Sequence, residues 1–386
     1  MQYRQVGQTG IEASIIGIGA ERVDTKPRAQ VEEVVHSALD HGINIIDMFV
    51  PGQEIRTNIG HAIAGRRDKV LIQGAIGSVD LDKQYDISRD LTICKRYFEE
   101  LLQCLKTDYI DFGMLFYMDS HEAIKEMIDN GIVEYAHQLK REGKIRAIGA
   151  TLHNPETGLR LVKENMVDMM MFSINPAFDM MTGPDTEPLD LLDEQFADRA
   201  VSVDPRRIEL YRLCQSQGIG LTVMKPLAAG KLLSADHSPF TQALTPAQCI
   251  HYALNRPAVA SVIVGCESRA HVEDAVKYLT ISDEERDYSQ IINQFREGGK
   301  AGFQGGCVYC NHCLPCPAEI DVAAVNKALD IASIDKNNIS PDLRNQYQSL
   351  KSHASDCVKC GSCEERCPFS VKVTEKMDEA AALFGR

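Results

Sequence analysis

Between residues 14 and 265 a short apolar run alternates with a longer amphipathic stretch eight times over, and this rhythm constrains the fold more than any other feature. The runs are Ser14–Gly19, Ile43–Asp47, Val70–Gly74, Tyr109–Phe116, Ile145–Thr151, Met169–Ile174, Gly220–Val223 and Ser261–Gly265. Helix-period segments follow them at Arg28–His41, Ile55–Ala64, Ser88–Leu105, Gly131–Glu142, Pro155–Glu164, Pro205–Gln217, Thr245–Asn255 and Ser268–Leu279. Strand–helix alternation requires a parallel sheet. Eight repeats in a stretch of this length predict closure into a (β/α)8 barrel, the TIM barrel, rather than an open sheet. Val6–Gly10 reads as a hairpin turn ahead of the first run, suited to plug the barrel floor. Two longer inserts, 179–204 and 229–244, follow strand ends and are expected to overhang the catalytic face.

The chain has 386 residues, enough for such a barrel and a small second domain. It carries 41 Lys and Arg against 55 Asp and Glu, a net charge of −14. An acidic surface repels phosphate backbones, so no nucleic-acid partner is expected. No apolar run reaches the roughly 18 residues of a membrane span, and no basic segment leads into an apolar stretch at the N-terminus. A cytoplasmic location follows as the expectation.

Cysteine is unevenly placed. Eight of the 13 lie between Cys307 and Cys367. Without an export signal, tight spacing reads as metal binding and not as a disulfide framework. Cys357, Cys360, Cys363 and Cys367 follow the x2, x2, x3 spacing of bacterial ferredoxins, with Pro368 after the last. Cys307, Cys310, Cys313 and Cys316 repeat the pattern one residue shorter, with Pro317 following. In such motifs the fourth cysteine ligates the other cluster. One [4Fe–4S] cluster is therefore assigned to Cys307, Cys310, Cys313 and Cys367, and the second to Cys357, Cys360, Cys363 and Cys316. Zinc and a single cluster are the alternatives, although zinc needs only two Cys-x2-Cys pairs and leaves the third cysteine of each motif surplus. Helical patterns near 319–333, 341–353 and 374–383 accompany the motifs, so the tail resembles a small, mainly helical dicluster ferredoxin-like domain. The organisation read from these signals is a barrel over 1–297, a glycine-rich linker over 298–306 and the cysteine domain over 307–386.

Tyr3–Gly10, Ser14–Gly19, His41–Asp47, Gly143–Gly149, Pro226–Lys231 and Ser261–Gly265 resemble the aldo/keto reductases, and the tail resembles that of their iron–sulfur branch. The resemblance implies a TIM barrel that transfers hydride from NADPH to a carbonyl, using a Tyr acid supported by Asp, Lys and His. Asp47 matches the Asp. The positions of Tyr, Lys and His hold Gly52, Ala75 and Phe116. The cofactor positions depart as well. The expected Ser-Asn pair is Thr151 and Leu152, the strand-six Gln is Met171, the stacking aromatic is Met224, and the Asn near the adenine is Ala275. Gly265 to Ser268 stand where the 2′-phosphate would bind, and Glu267 among them repels it.

Asp47 ends the second run, Tyr117, His153 and Lys225 follow the fourth, fifth and seventh, and these four are the candidate catalytic residues. Thr151, Met224, Gly265 and Ser268 are the candidate cofactor contacts. The expected function is an iron–sulfur oxidoreductase in which two [4Fe–4S] clusters exchange electrons with a group in the barrel. Flavin is a candidate for that group, NADPH is disfavoured, and the partner is a redox protein or a small-molecule substrate. A non-catalytic electron carrier or docking subunit, and an NADPH-dependent carbonyl reductase with a substitute acid such as Tyr117, are the alternatives.

Overall fold

A computed structural model describes residues 1–81, 84–180, 204–236, 238–240, 242–292, 307, 313–367 and 371–386. The linker 298–306, Cys310 and most of the insert at 179–204 lie outside the described residues.

The strands are β1 (Tyr3–Gln5), β2 (Glu12–Ser14), β3 (Ile16–Gly19), β4 (Ile45–Met48), β5 (Leu71–Ile76), β6 (Ser78–Leu81), β7 (Gln84–Ile87), β8 (Ile110–Leu115), β9 (Ile145–Leu152), β10 (Met169–Ser173), β11 (Gly220–Met224) and β12 (Val259–Gly265). Eight of them close a parallel barrel in the order β3, β4, β5, β8, β9, β10, β11, β12. Each corresponds to one of the eight apolar runs. These runs are nearly continuous because the strands are buried on both faces, so polar alternation is absent. Val6, Ile11 and Ala13 join the cluster of strand residues inside the barrel, among them Met114, Met169 and Met171. The β1–β2 hairpin is thus the floor plug the sequence suggested. Gly220 opens β11 against it: a Cβ there would lie 2.5 Å from the backbone N of Gly7. Gly149 similarly leaves room between the thioethers of Met114 and Met169.

The helices are α1 (Arg28–Asp40), α2 (Gln53–Ala62), α3 (Leu91–Leu105), α4 (His121–Asp129), α5 (Ile132–Arg141), α6 (Pro155–Lys163), α7 (Pro176–Asp179), α8 (Pro205–Gln217), α9 (Pro246–Leu254), α10 (Arg269–Val276), α11 (Asp283–Arg286), α12 (Ser289–Ile292), α13 (Val322–Ala332), α14 (Pro341–Gln348), α15 (Ser362–Arg366) and α16 (Val373–Phe384). Two elements were not anticipated. Helix α4, capped by Ser120, fills a stretch between the fourth apolar run and the next helical period to which the sequence pattern assigns no element, and the β6–β7 hairpin extends the third barrel strand. Before the linker the chain forms α11 and α12, parted where Tyr288 is buried, and residues 293–297 are outside the described residues. No helix among the described residues is long and apolar enough to cross a membrane.

The described chain divides into two compact units. The first, Met1–Ile174 with Ile219–Pro226 and Val259–Thr280, contains every barrel strand. The second comprises Asn175–Gly218, Leu227–Ala258 and Ile281–Arg386. Within it, buried Asp179 accepts from Arg207 Nε at 2.9 Å, Tyr211 Oη at 2.5 Å and Tyr252 Oη at 2.6 Å. The carbonyl of Asp179 also accepts from Asp204 N at 2.7 Å, joining the two ends of the insert. In the same unit α13 packs on α8 and α16, and Asp330 pairs with Arg212 at 3.0 Å and Lys376 at 3.4 Å.

Candidate functional site

Asp47 lies on β4, one residue before the strand ends, and is 3% exposed. Burial in the barrel disfavours its charged form and pushes its pKa up to about 7, although a hydrogen bond from Gln73 opposes the shift. Gln73, on the neighbouring β5, donates through Nε2 to Asp47 Oδ1 at 3.0 Å. The same nitrogen lies 3.1 Å from Met171 Sδ, and Gln73 Oε1 accepts from Thr222 Oγ1 at 2.9 Å. Four strands thus place one polar chain in an otherwise apolar barrel. The reading of the sequence did not single out Gln73 and Thr222.

Tyr117 lies two residues beyond β8 and Lys225 directly follows β11, and both adopt left-handed backbone, with φ of 59° and 55°. For a bulky side chain that region costs on the order of 1–2 kcal/mol. Tyr117 is held there by its N–H, which donates to Thr151 Oγ1 at 2.8 Å. Thr151, proposed for cofactor contact, is 5% exposed and has this structural bond. The ring of Tyr117 lies 5.6 Å from that of His153.

His153 is oriented by Asp119, a residue the sequence did not flag. Asp119 Oδ2 meets Nδ1 of His153 at 2.9 Å, and Oδ1 accepts the backbone N–H groups of His153 and Asn154. Nε2 of His153 is buried without a hydrogen-bond partner. The pair has the form of an acid–base unit: a carboxylate fixing one ring nitrogen and leaving the second for a proton.

The positions expected to hold Tyr, Lys and His are also defined. Gly52 precedes α2 and borders a cavity of about 480 Å³ whose lining includes Glu21, Asp24, Asp80 and Tyr85. Burial raises the Asp24 pKa, and the nearby Asp80 and Glu54 add to it. Ala75 and Phe116 are buried, and Phe116 stacks on Phe49 with centroids 5.9 Å apart. Met224 is partly buried at the end of β11. Gly265 is exposed, with Arg22 Cγ 2.9 Å from where a Cβ would stand. The Ser268 hydroxyl accepts from His271 N at 3.3 Å, capping α10. Glu267 pairs with Lys26 at 3.3 Å, so its charge is partly offset.

In the second unit one cavity is lined by Cys316 together with Cys357, Cys360 and Cys363. Ile320, Val322, Val358, Val373 and Met377 make the rest mostly apolar. None of the seven described cysteines of the two motifs is in a disulfide among the described residues. Hydrogen bonds with Ser362 lower the Cys360 thiol pKa, and burial raises that of Cys363. Among the described residues no three His, Cys, Asp or Glu side chains converge tightly enough for a single metal ion. A four-iron cubane takes four cysteine thiolates, and Cys316, Cys357, Cys360 and Cys363 are four cysteines on one cavity, a donor set of the type it needs.

The profile described as the aldo/keto reductase family matches residues 15–248. Aldo-keto reductase YhdN of Bacillus subtilis is 31% identical over 164 residues, 39% of this chain and 47% of that protein, so the match spans about half the length of that relative. The Probable glycolate oxidase iron-sulfur subunit of the same organism is 27% identical over 107 residues, covering 26% of this chain and 23% of its own. Among solved structures, the holo form of aldo-keto reductase AKR11C1 from Bacillus halodurans superimposes with a TM-score of 0.59 at 21% identity, over 77% of this chain and 99% of that one. At that identity the structural likeness speaks for the fold alone.

Proposed function

The chain belongs to the aldo/keto reductase family, and on that premise we propose that it is an iron–sulfur oxidoreductase of the family's branch with a C-terminal cysteine domain. The observation that carries this reading is the cavity that unites Cys316 of the first motif with Cys357, Cys360 and Cys363 of the second. A crossed ligand set is what two ferredoxin-type motifs require and what two separate zinc knuckles do not. The similarity to an iron-sulfur subunit points the same way. Cys307, Cys310, Cys313 and Cys367 would hold a second cluster. When bound, the clusters supply one-electron transfer.

The barrel's part is proton handling and binding. Gly52 stands where the family's tyrosine acid is expected, so a proton for a reduced product must come from elsewhere. Asp47, whose burial raises its pKa to about 7, and His153, oriented by Asp119, are assigned to proton transfer. Tyr117, whose ring lies 5.6 Å from that of His153, and Lys225, which follows β11, are assigned to substrate contact. Thr151, Met224, Gly265 and Ser268 remain the proposed contacts of whatever group the barrel holds, flavin among them. The carboxylates beside Gly52 and at Glu267 disfavour the phosphates of NADPH.

Anaerobic purification tests the reading. About eight iron and eight sulfide per chain, with a dithionite-bleachable charge-transfer band, are expected of two cubanes. Stoichiometric zinc with no sulfide overturns it. Flavin bands in the same spectrum would identify the barrel's occupant.

A further inference from the structure

Arg366 ends α15, immediately before Cys367, and lines the same cavity as Cys316, Cys357, Cys360 and Cys363. It is the one charged side chain among the lining residues. Its Nη2 donates to the carbonyls of Cys313 and Pro315, both at 2.7 Å, across more than fifty residues of chain. Its Nε is buried with no partner. No carboxylate lies within ion-pair distance of it among the described residues. The two nearest acidic neighbours in sequence do not neutralise it: Glu364 is engaged by Thr374 N and Oγ1 at 2.8 and 2.6 Å, and Glu365 makes no ion pair among the described residues. Lys359, the other cation of this motif, is spent on Asp378 at 2.8 Å.

Arg366 as a whole is only partly buried, but its Nε is shielded from solvent and unbonded, a cost that the two carbonyls on Nη2 do not offset. An anion in the cavity supplies what is missing. Four thiolates around a cubane carry net negative charge in both redox states, and reduction adds one more. We propose that Arg366 is a positioning residue with two tasks: its fork ties the first cysteine motif to the second, and its charge raises the reduction potential of the cluster held by Cys316, Cys357, Cys360 and Cys363. The inference rests on the iron–sulfur reading above. It adds that the two clusters are electrostatically unequal, with the one beside Arg366 the easier to reduce.

Two variants separate the tasks. Arg366→Gln removes the charge, and Arg366→Lys keeps it while losing the fork. Potentials are read by anaerobic redox titration with electron paramagnetic resonance, and the cluster concerned is identified as the one altered in Cys316→Ser. In R366Q that cluster's midpoint moves to more negative potential while the other stays. In R366K both potentials stay near wild type, and cluster loss on heating sets in at lower temperature in both variants. Equal shifts of both clusters, no shift in R366Q, or the same shift in R366K overturns the inference. If R366Q fails to retain its clusters, R366K decides: two clusters at wild-type potentials support the assignment, and loss or displacement of either overturns it. A wild-type protein without cubane signals fails the iron–sulfur reading itself, a result distinct from all of these.

Discussion

A single carboxyl illustrates how the barrel changes the chemistry of its residues. Asp47 is buried and titrates near pH 7, well above an exposed aspartate. Its native state holds a proton that the unfolded chain releases near pH 4, so its stabilising effect is complete below about pH 4 and is lost as pH rises through about 7. Asp47→Asn keeps an acceptor for Gln73 and removes the titration. Chemical denaturation between pH 5 and 8 should show a decline in wild-type stability, on the order of a few kcal/mol, that the variant lacks. Parallel slopes in the two proteins would show that Asp47 is ionised throughout. Asp47 was legible in the sequence because it ends an apolar run. Gln73 was not, because its partners Asp47, Met171 and Thr222 come from strands up to 149 residues away. Asp119 was hidden for the same reason: only the closed barrel sets it against His153, 34 residues on. Asp119→Ala strands three N–H donors and should cost about 2–3 kcal/mol in a denaturant titration, whereas His153→Gln should cost much less.

Elements of the barrel were legible because burial on both faces writes each strand as an unbroken apolar run, and because helices announce their periods. Helix α4 and the β6–β7 hairpin escaped, since each is short and lies between stronger signals. The floor hairpin was read from Val6–Gly10, and its tight fit explains Gly220. Gly220→Ala drives a methyl into the backbone of Val6 and Gly7, which cannot yield as a flexible side chain would. A loss of about 1–3 kcal/mol is expected from denaturant midpoints, against little change for Gly143→Ala or other open positions beyond their backbone strain. In the second unit, Asp179→Ala leaves Arg207 buried without its carboxylate, together with two tyrosine hydroxyls. A loss of about 3–5 kcal/mol is expected there, with Asp179→Asn intermediate.

For the whole molecule, the family supplies a barrel, and our proposal is that the residues at its cofactor positions bind the family's usual cofactor poorly. Calorimetric titration with NADPH at moderate salt should give at best weak binding; micromolar affinity would restore the carbonyl-reductase alternative. The cysteine tail carries the central claim, that the two motifs exchange their fourth ligands. Its spacing already assigned Cys316 to the second motif, and in the folded chain Cys316 lines one cavity with Cys357, Cys360 and Cys363. Cluster-resolved electron paramagnetic resonance on Cys316→Ser and Cys367→Ser, purified under argon, tests it most directly. Exchange requires that Cys316→Ser perturb the cluster of Cys357, Cys360 and Cys363, and that Cys367→Ser perturb the cluster of Cys307, Cys310 and Cys313. Each substitution disturbing only the cluster of its own motif would contradict it.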